Sequence, residues 1–153
     1  MADGGAEAAR KWGREALAEI HLAEKLKTLV DAHEVLDIGQ LPQPVRQHWP
    51  GALTPQVVLT GERRAHYLVG HADMVPYEAN LPDVIANPDE VHRNKRDAQI
   101  AILYRRVDEQ HWLRATLWIS DKPGLQNSIH SYRLAGTDEV QQGRKARRLL
   151  WQK

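Results

Sequence analysis

The spacing of apolar residues divides the chain into a helical first part and a strand-rich second part. Residues 6–33 carry an apolar stripe at intervals of three and four, which is typical of an amphipathic helix: Trp12, Ala16, Ile20, Ala23, Leu26 and Val30. Residues 34–55 contain four prolines and are predicted to be irregular. Trp49 indicates that this segment lies as a strap over the core.

Short helices and strands follow from Pro55 onward. The run Val57–Thr60 predicts a strand, and Thr60 can cap a helix that ends near Gly70. A second short helix is predicted over residues 77–85. Strands then dominate, at 91–94, 98–107, 111–120 and 127–134, with turns at 108–110 and 121–124. In the third of these strands, Trp112, Thr116 and Trp118 fall on one face.

This order of elements predicts an α+β fold, with N-terminal helices packed on a C-terminal antiparallel β-sheet of at least three strands. We divide the chain into a helix and proline-rich strap (1–54), a central domain (55–137) and a basic C-terminal helix (138–153).

The amino-acid composition excludes some kinds of site and limits the kinds of partner. The 153 residues include no cysteine, which excludes disulfides and thiolate metal sites. With a net charge of +1, any affinity for nucleic acid must come from local clusters of basic residues. The apolar runs are far shorter than the roughly 20 residues of a membrane span, and no secretory signal is visible. We therefore expect no membrane association and a cytoplasmic protein, or one delivered into the cytoplasm of a target cell.

A histidine pair is the first candidate for chemistry. His66 and His71 are five residues apart, which is not a same-face spacing on a helix. If the helix breaks at Gly70, His71 can turn toward the same site as His66.

The order of motifs resembles the phage barnase–EndoU–colicin–RelE-like nuclease domains, over about half the chain. The resemblance rests on His66-Tyr-Leu-Val-Gly-His71, on Pro88-Asp-Glu-Val91 and on Ile129-His-Ser-Tyr132. It implies a phage or toxin-type ribonuclease, with RNA as substrate and an immunity or antitoxin protein, or a phage head or portal protein, as partner. The family often ends its last strand in a Thr-Ala-Tyr-like triplet, whereas Ser131-Tyr132 follows a histidine here.

RNA cleavage without a metal requires proton transfer and cations around the phosphate. We assign catalysis to His66, His71, Arg105 and Ser131, and substrate binding to Arg93, Lys95, Arg114 and Tyr132. The alternation along residues 98–107 indicates that Ile100 and Ile102 pack against the helices. Arg105 would then face the open side of the sheet, where this class binds substrate. We thus predict a metal-independent endoribonuclease that cleaves by 2′-OH attack, with no metal and no cofactor.

Other functions remain open. The basic tail Arg144–Arg148 and the tryptophans at 112, 118 and 151 could bind nucleic acid without catalysis. The N-terminal helix suits a virion-associated interaction module. A metal site is disfavoured, because no acidic residue stands at ligand spacing with His66, His71, His111 and His130. ADP-ribosyl transfer is disfavoured, because no acidic pair lies on the last predicted strand.

Overall fold

The computed structural model describes residues 34–153, and the helix predicted over residues 6–33 lies outside them. Within the described part, seven strands form one sheet in the order β1-β2-β6-β5-β4-β3-β7. Neighbouring strands are antiparallel except β2 and β6, which are parallel. Their bounds are β1 Val35–Gln40, β2 Gln56–Thr60, β3 Glu90–Arg93, β4 Ile100–Arg106, β5 His111–Trp118, β6 Asn127–Gly136 and β7 Leu149–Gln152.

The helices cover both faces of this sheet. They are α1 (Gln43–Arg46), α2 (Gly61–Gly70), a 3-10 helix (Ala72–Asn80), α3 (Leu81–Ala86) and α4 (Thr137–Lys145). Side chains of α2, the 3-10 helix and α3 share the main core with one face, which we call the helix face. On the other face, called the open face, Val140 of α4 packs on a smaller cluster of Ile102, Tyr104, Trp112 and Ala135. The predicted α+β class is confirmed.

Local sequence signals account for the helix before the long strands. The Thr60 hydroxyl accepts a hydrogen bond from the Arg63 amide at 3.2 Å, as predicted for the cap of α2. The second predicted helix is split into a 3-10 helix and α3. Pro76 lies inside the first part and Pro82 in the first turn of the second, and neither proline can donate a backbone hydrogen bond.

Two strands escaped the sequence prediction. The strap was predicted to be irregular, but Val35–Gln40 pairs with β2 through a bulge near Gly39, whose φ is +133°. Trp49 is buried as predicted, and its indole donates to the Ala98 carbonyl at 2.8 Å. The basic C-terminal helix is shorter than predicted. Arg147 has a φ of 59°, which turns the chain back so that Leu149–Gln152 pairs with β3.

A buried carboxylate ties the helix-face layer together. Arg64 of α2 donates from Nε and Nη2 to the two Glu78 oxygens, both at 2.8 Å, and the Tyr67 hydroxyl also donates to Glu78. Within residues 34–153, no helix is long and apolar enough to cross a membrane.

Candidate active site

The strand register assembles two rows of side chains on the open face. Each row takes one residue from β3, β4, β5 and β6, because the strands pair residue against residue and alternate side chains share a face. One row is Glu90, Tyr104, Arg114 and Arg133. The next is His92, Ile102, Thr116 and Ser131.

Two arginines stand directly opposite each other in the first row. Like charges in this position destabilise a sheet, so Arg114 and Arg133 need a shared counterion. Glu139 of α4 supplies it. Arg133 Nη2 donates to Glu139 Oε1 at 2.6 Å, and Arg114 Nε lies 3.3 Å from Oε2. The Tyr104 hydroxyl donates to the same Oε2 at 2.9 Å, which fixes the carboxylate from a third side.

The Arg114 guanidinium keeps unused hydrogen-bonding capacity. Its side chain is only 16 % exposed, and its Nε has no hydrogen-bond acceptor among the described residues. The 3.3 Å approach to Glu139 is an ion pair whose N–H is poorly aligned with the oxygen. A buried donor without an acceptor is costly, and the ion pair with Glu139 compensates for only part of that cost.

These side chains enclose a small cleft between the sheet and α4, with a volume of about 210 Å³. We call it the open-face cleft. Three arginines, Arg114, Arg133 and Arg148, line it together with one acidic residue, Glu139. The excess positive charge, the concave shape and the planar arginine forks suit a phosphate group.

The electrostatics favour an ionised carboxylate in this cleft. Burial raises the pKa of Glu139, but the hydrogen bonds from Arg133 and Tyr104 and the charges of Arg133 and Arg114 outweigh burial, so the pKa lies below its usual range. Glu139 is therefore a carboxylate at neutral pH and can accept a proton.

His92 forms a closed wall of the cleft. Its ring is 1 % exposed, contacts Tyr104 edge-on at 4.9 Å and hydrogen-bonds Glu90 through Nε2 at 3.0 Å. Burial lowers the pKa of His92 despite Glu90, so the imidazole is neutral. Gly143 of α4 lies directly over the ring. A Cβ at that position would overlap Nδ1 and come within 2.8 Å of Cε1.

Several sequence-predicted residues lie elsewhere. The predicted orientation of β4 is wrong: Ala101 and Leu103 face the helices, and Arg105 points the same way. Arg105 Nε pairs with Asp83 at 3.0 Å, and its Nη1 donates to the Asn87 carbonyl, so it fastens the end of α3.

Ser131 and Tyr132, which end the motif Ile129–Tyr132, lie on opposite faces of the sheet. Ser131 lies on the open face, where its hydroxyl and that of Thr116 are hydrogen-bonded at 2.6 Å. Tyr132 is fully buried in the main core and donates to the Tyr77 carbonyl at 2.8 Å. Burial raises the pKa of Tyr132 far above its usual range, so the structure gives this residue a packing role in place of the predicted substrate contact.

The histidine pair is not part of the open-face cleft. His66 is exposed on α2, and His71 is the residue that ends this helix. His66 lies close enough to His130, at the β6 bulge, to affect it. Partial burial, followed by the charges of Arg63 and His66, lowers the pKa of His130.

Arg93 and Lys95 line a different, larger cleft of about 570 Å³ beneath the strap. Arg93 pairs with Ala101, a helix-face residue, whereas Arg114 faces the opposite side of the sheet. Of the predicted substrate-binding residues, only Arg114 lines the open-face cleft.

Sequence reasoning missed Tyr104, Arg133 and Glu139. Their position beside Arg114 depends on the register between strands and on the packing of α4 over the sheet, and neither can be read from the alternation within one strand. Within residues 34–153, no group of three or more histidine or acidic side chains is arranged as metal ligands. No protein-family model, curated protein or solved structure matches this chain.

Proposed function

We propose that this domain is an endoribonuclease that binds an RNA phosphodiester in the open-face cleft and cleaves it by attack of the ribose 2′-OH. One observation carries the proposal: Arg114 and Arg133 meet around the ionised Glu139, held by Tyr104, in a concave and positively charged cleft. This arrangement combines a proton acceptor with cations for the charge that builds on phosphorus.

Substrate binding and base strength are coupled in this mechanism. A phosphate competes with Glu139 for the two arginines and adds negative charge beside the carboxylate. Both effects raise the pKa of Glu139, which makes it a stronger base once RNA is bound. Glu139 then takes the 2′-OH proton, the 2′-oxygen attacks phosphorus, and the bond to the 5′-oxygen breaks.

The arginines stabilise the departing group as well as the transition state. His92 is closed off beneath α4, so the 5′-oxygen takes its proton from water at the mouth of the cleft, and the hydroxide that remains takes the proton from Glu139 and restores the carboxylate. The products are a 2′,3′-cyclic phosphate and a 5′-hydroxyl, and the reaction needs no metal.

The test is cleavage of single-stranded RNA by the purified chain, with and without a chelator. Arg114→Ala and Glu139→Gln should each lower the rate by roughly a hundredfold or more, the scale of a lost charge stabiliser or base. Arg105→Ala is the matched control, because it removes the same side chain from the neighbouring strand on the opposite face. Equal losses in R105A and R114A, or activity that depends on an added metal, would refute the proposal.

Binding without cleavage is the second candidate, and the charge of the cleft favours it equally. It predicts that wild-type protein retains RNA intact, that the arginine variants weaken binding, and that Glu139→Gln tightens binding without any loss of cleavage. We propose that the enzyme acts on RNA in a cytoplasm. We also infer that an inhibitory partner would present an acidic surface to the open-face cleft. Growth arrest on expression of the wild-type chain but not of E139Q would support the nuclease.

A further inference from the structure

An exposed tryptophan lies on the same face as the open-face cleft. Trp118 ends β5 and is 43 % exposed, whereas Trp49 and Trp112 are buried in the two cores. It pairs with Ile100 on β4 and with Ser128 on β6, so the register fixes its position on the open face.

The spacing along β5 relates this ring to the arginine row. Arg114, Thr116 and Trp118 are alternate residues of one strand and point to the same side. At about 3.4 Å of rise per residue, Trp118 stands roughly 14 Å from Arg114, a distance that a short single-stranded segment can span. Thr116 and Ser131 lie between them and present no charge.

We propose that Trp118 is a base-stacking subsite for the RNA strand whose phosphate is held by Arg114 and Arg133. This inference rests on the proposed function, because the arginine row defines where the backbone lies. Every base has a flat π-face, so the subsite accepts any unpaired base and selects single-stranded over double-stranded RNA. It therefore selects single-stranded RNA as the substrate class and does not discriminate between base sequences.

The stacking subsite and the open-face cleft would bind different parts of the RNA by different forces. The arginines bind the backbone electrostatically, and a half-exposed indole loses apolar contact with water when a base covers it. Removal of a stacking platform weakens binding by about 5- to 150-fold, the equivalent of the usual stacking free energy.

The experiment measures binding of short single-stranded RNA in the Glu139→Gln background, so that the RNA stays intact. Trp118→Ala should weaken binding by about 5- to 150-fold, and Trp118→Phe should largely restore it. Leu125→Ala is the control, because Leu125 is an exposed apolar residue in the loop that follows β5.

A second set of RNAs carries one abasic nucleotide at successive positions. One position should weaken binding to protein with Trp118 and have no further effect in W118A, which identifies the stacked base. Equal affinity of W118A and its parent, or an abasic effect that persists in W118A, would overturn the inference.

The two proposals fail separately. If wild-type protein cleaves through Arg114 but the abasic effect is independent of Trp118, only the stacking subsite is wrong. If the abasic effect depends on Trp118 but no RNA is cut, the subsite stands and the domain is a binding module. Thermal melting of W118A and W118F verifies that both variants are folded.

Discussion

Replacement of Glu139 by glutamine should have two opposite effects on RNA. Cleavage should be lost, because the amide cannot accept the 2′-OH proton. Binding should become tighter, because the phosphate no longer competes with a carboxylate for Arg114 and Arg133. A residue that did not share Arg114 and Arg133 with the RNA would give neither result.

The magnitude follows from the contacts that RNA must displace. Arg133 donates to Glu139 at 2.6 Å and Arg114 lies 3.3 Å from it, but the Glu139 side chain is 35 % exposed, so solvent screens both pairs. Their displacement costs about 1–2 kcal/mol, which corresponds to roughly 5- to 30-fold tighter binding by E139Q.

The assay compares fluorescence anisotropy of labelled single-stranded RNA on wild-type protein, on E139Q and on Glu62→Gln. Glu62 is exposed on α2, so its replacement makes the same change in net charge away from the cleft. Inorganic phosphate should also raise the melting temperature of E139Q more than that of E62Q, because it supplies the missing counterion. Equal affinities for the two variants, or full cleavage by E139Q, would refute the reasoning.

Three further predictions concern packing and charge. Gly143→Ala should lower the free energy of unfolding in urea by up to about 2 kcal/mol, because its Cβ overlaps a buried imidazole. Gly70→Ala, with open space around it, should be neutral or stabilising, and the reverse order would contradict this packing. Arg64→Met should destabilise by roughly 3–5 kcal/mol, because Glu78 is left as a buried charge, and a loss below about 1 kcal/mol would count against it. The pKa of Glu139 is lowered in the folded state, so its stabilisation is complete above the unfolded pKa of about 4.3 and is lost as the pH falls through the folded pKa. The melting temperatures of wild type and E139Q should therefore converge in acid, and a constant difference would contradict this linkage.

The long strands were predictable because their signals are local. Turn residues at 108–110 and 121–124 separate β4, β5 and β6, and the face shared by Trp112, Thr116 and Trp118 is confirmed by the register. The cap at Thr60 depends on residues three apart and was also read correctly.

The orientation of β4 was not predictable from its alternation. Ala101 and Leu103 face the helices, but Ile102 and Tyr104 are also buried, because α4 covers the open face. A strand that is buried on both sides carries no pattern that identifies the helix face.

The candidate site was only partly predictable for a related reason. Arg114 was identified from its strand, whereas its neighbour Arg133 and the counterion Glu139 depend on sheet register and on the return of α4 over the sheet. His66 and His71 were predicted to be catalytic because they flank the end of a helix at Gly70. In the structure they line neither the open-face cleft nor the cleft beneath the strap.

The most direct test of the central claim uses an oligonucleotide of deoxynucleotides that contains one ribonucleotide. Attack by a 2′-OH predicts a single cut, on the 3′ side of that ribonucleotide, with a 2′,3′-cyclic phosphate on one product and a 5′-hydroxyl on the other. The cut should disappear when the ribonucleotide carries a 2′-O-methyl group and in the Glu139→Gln variant. Cleavage of the all-deoxy strand, or products with 3′-hydroxyl and 5′-phosphate ends, would contradict the account.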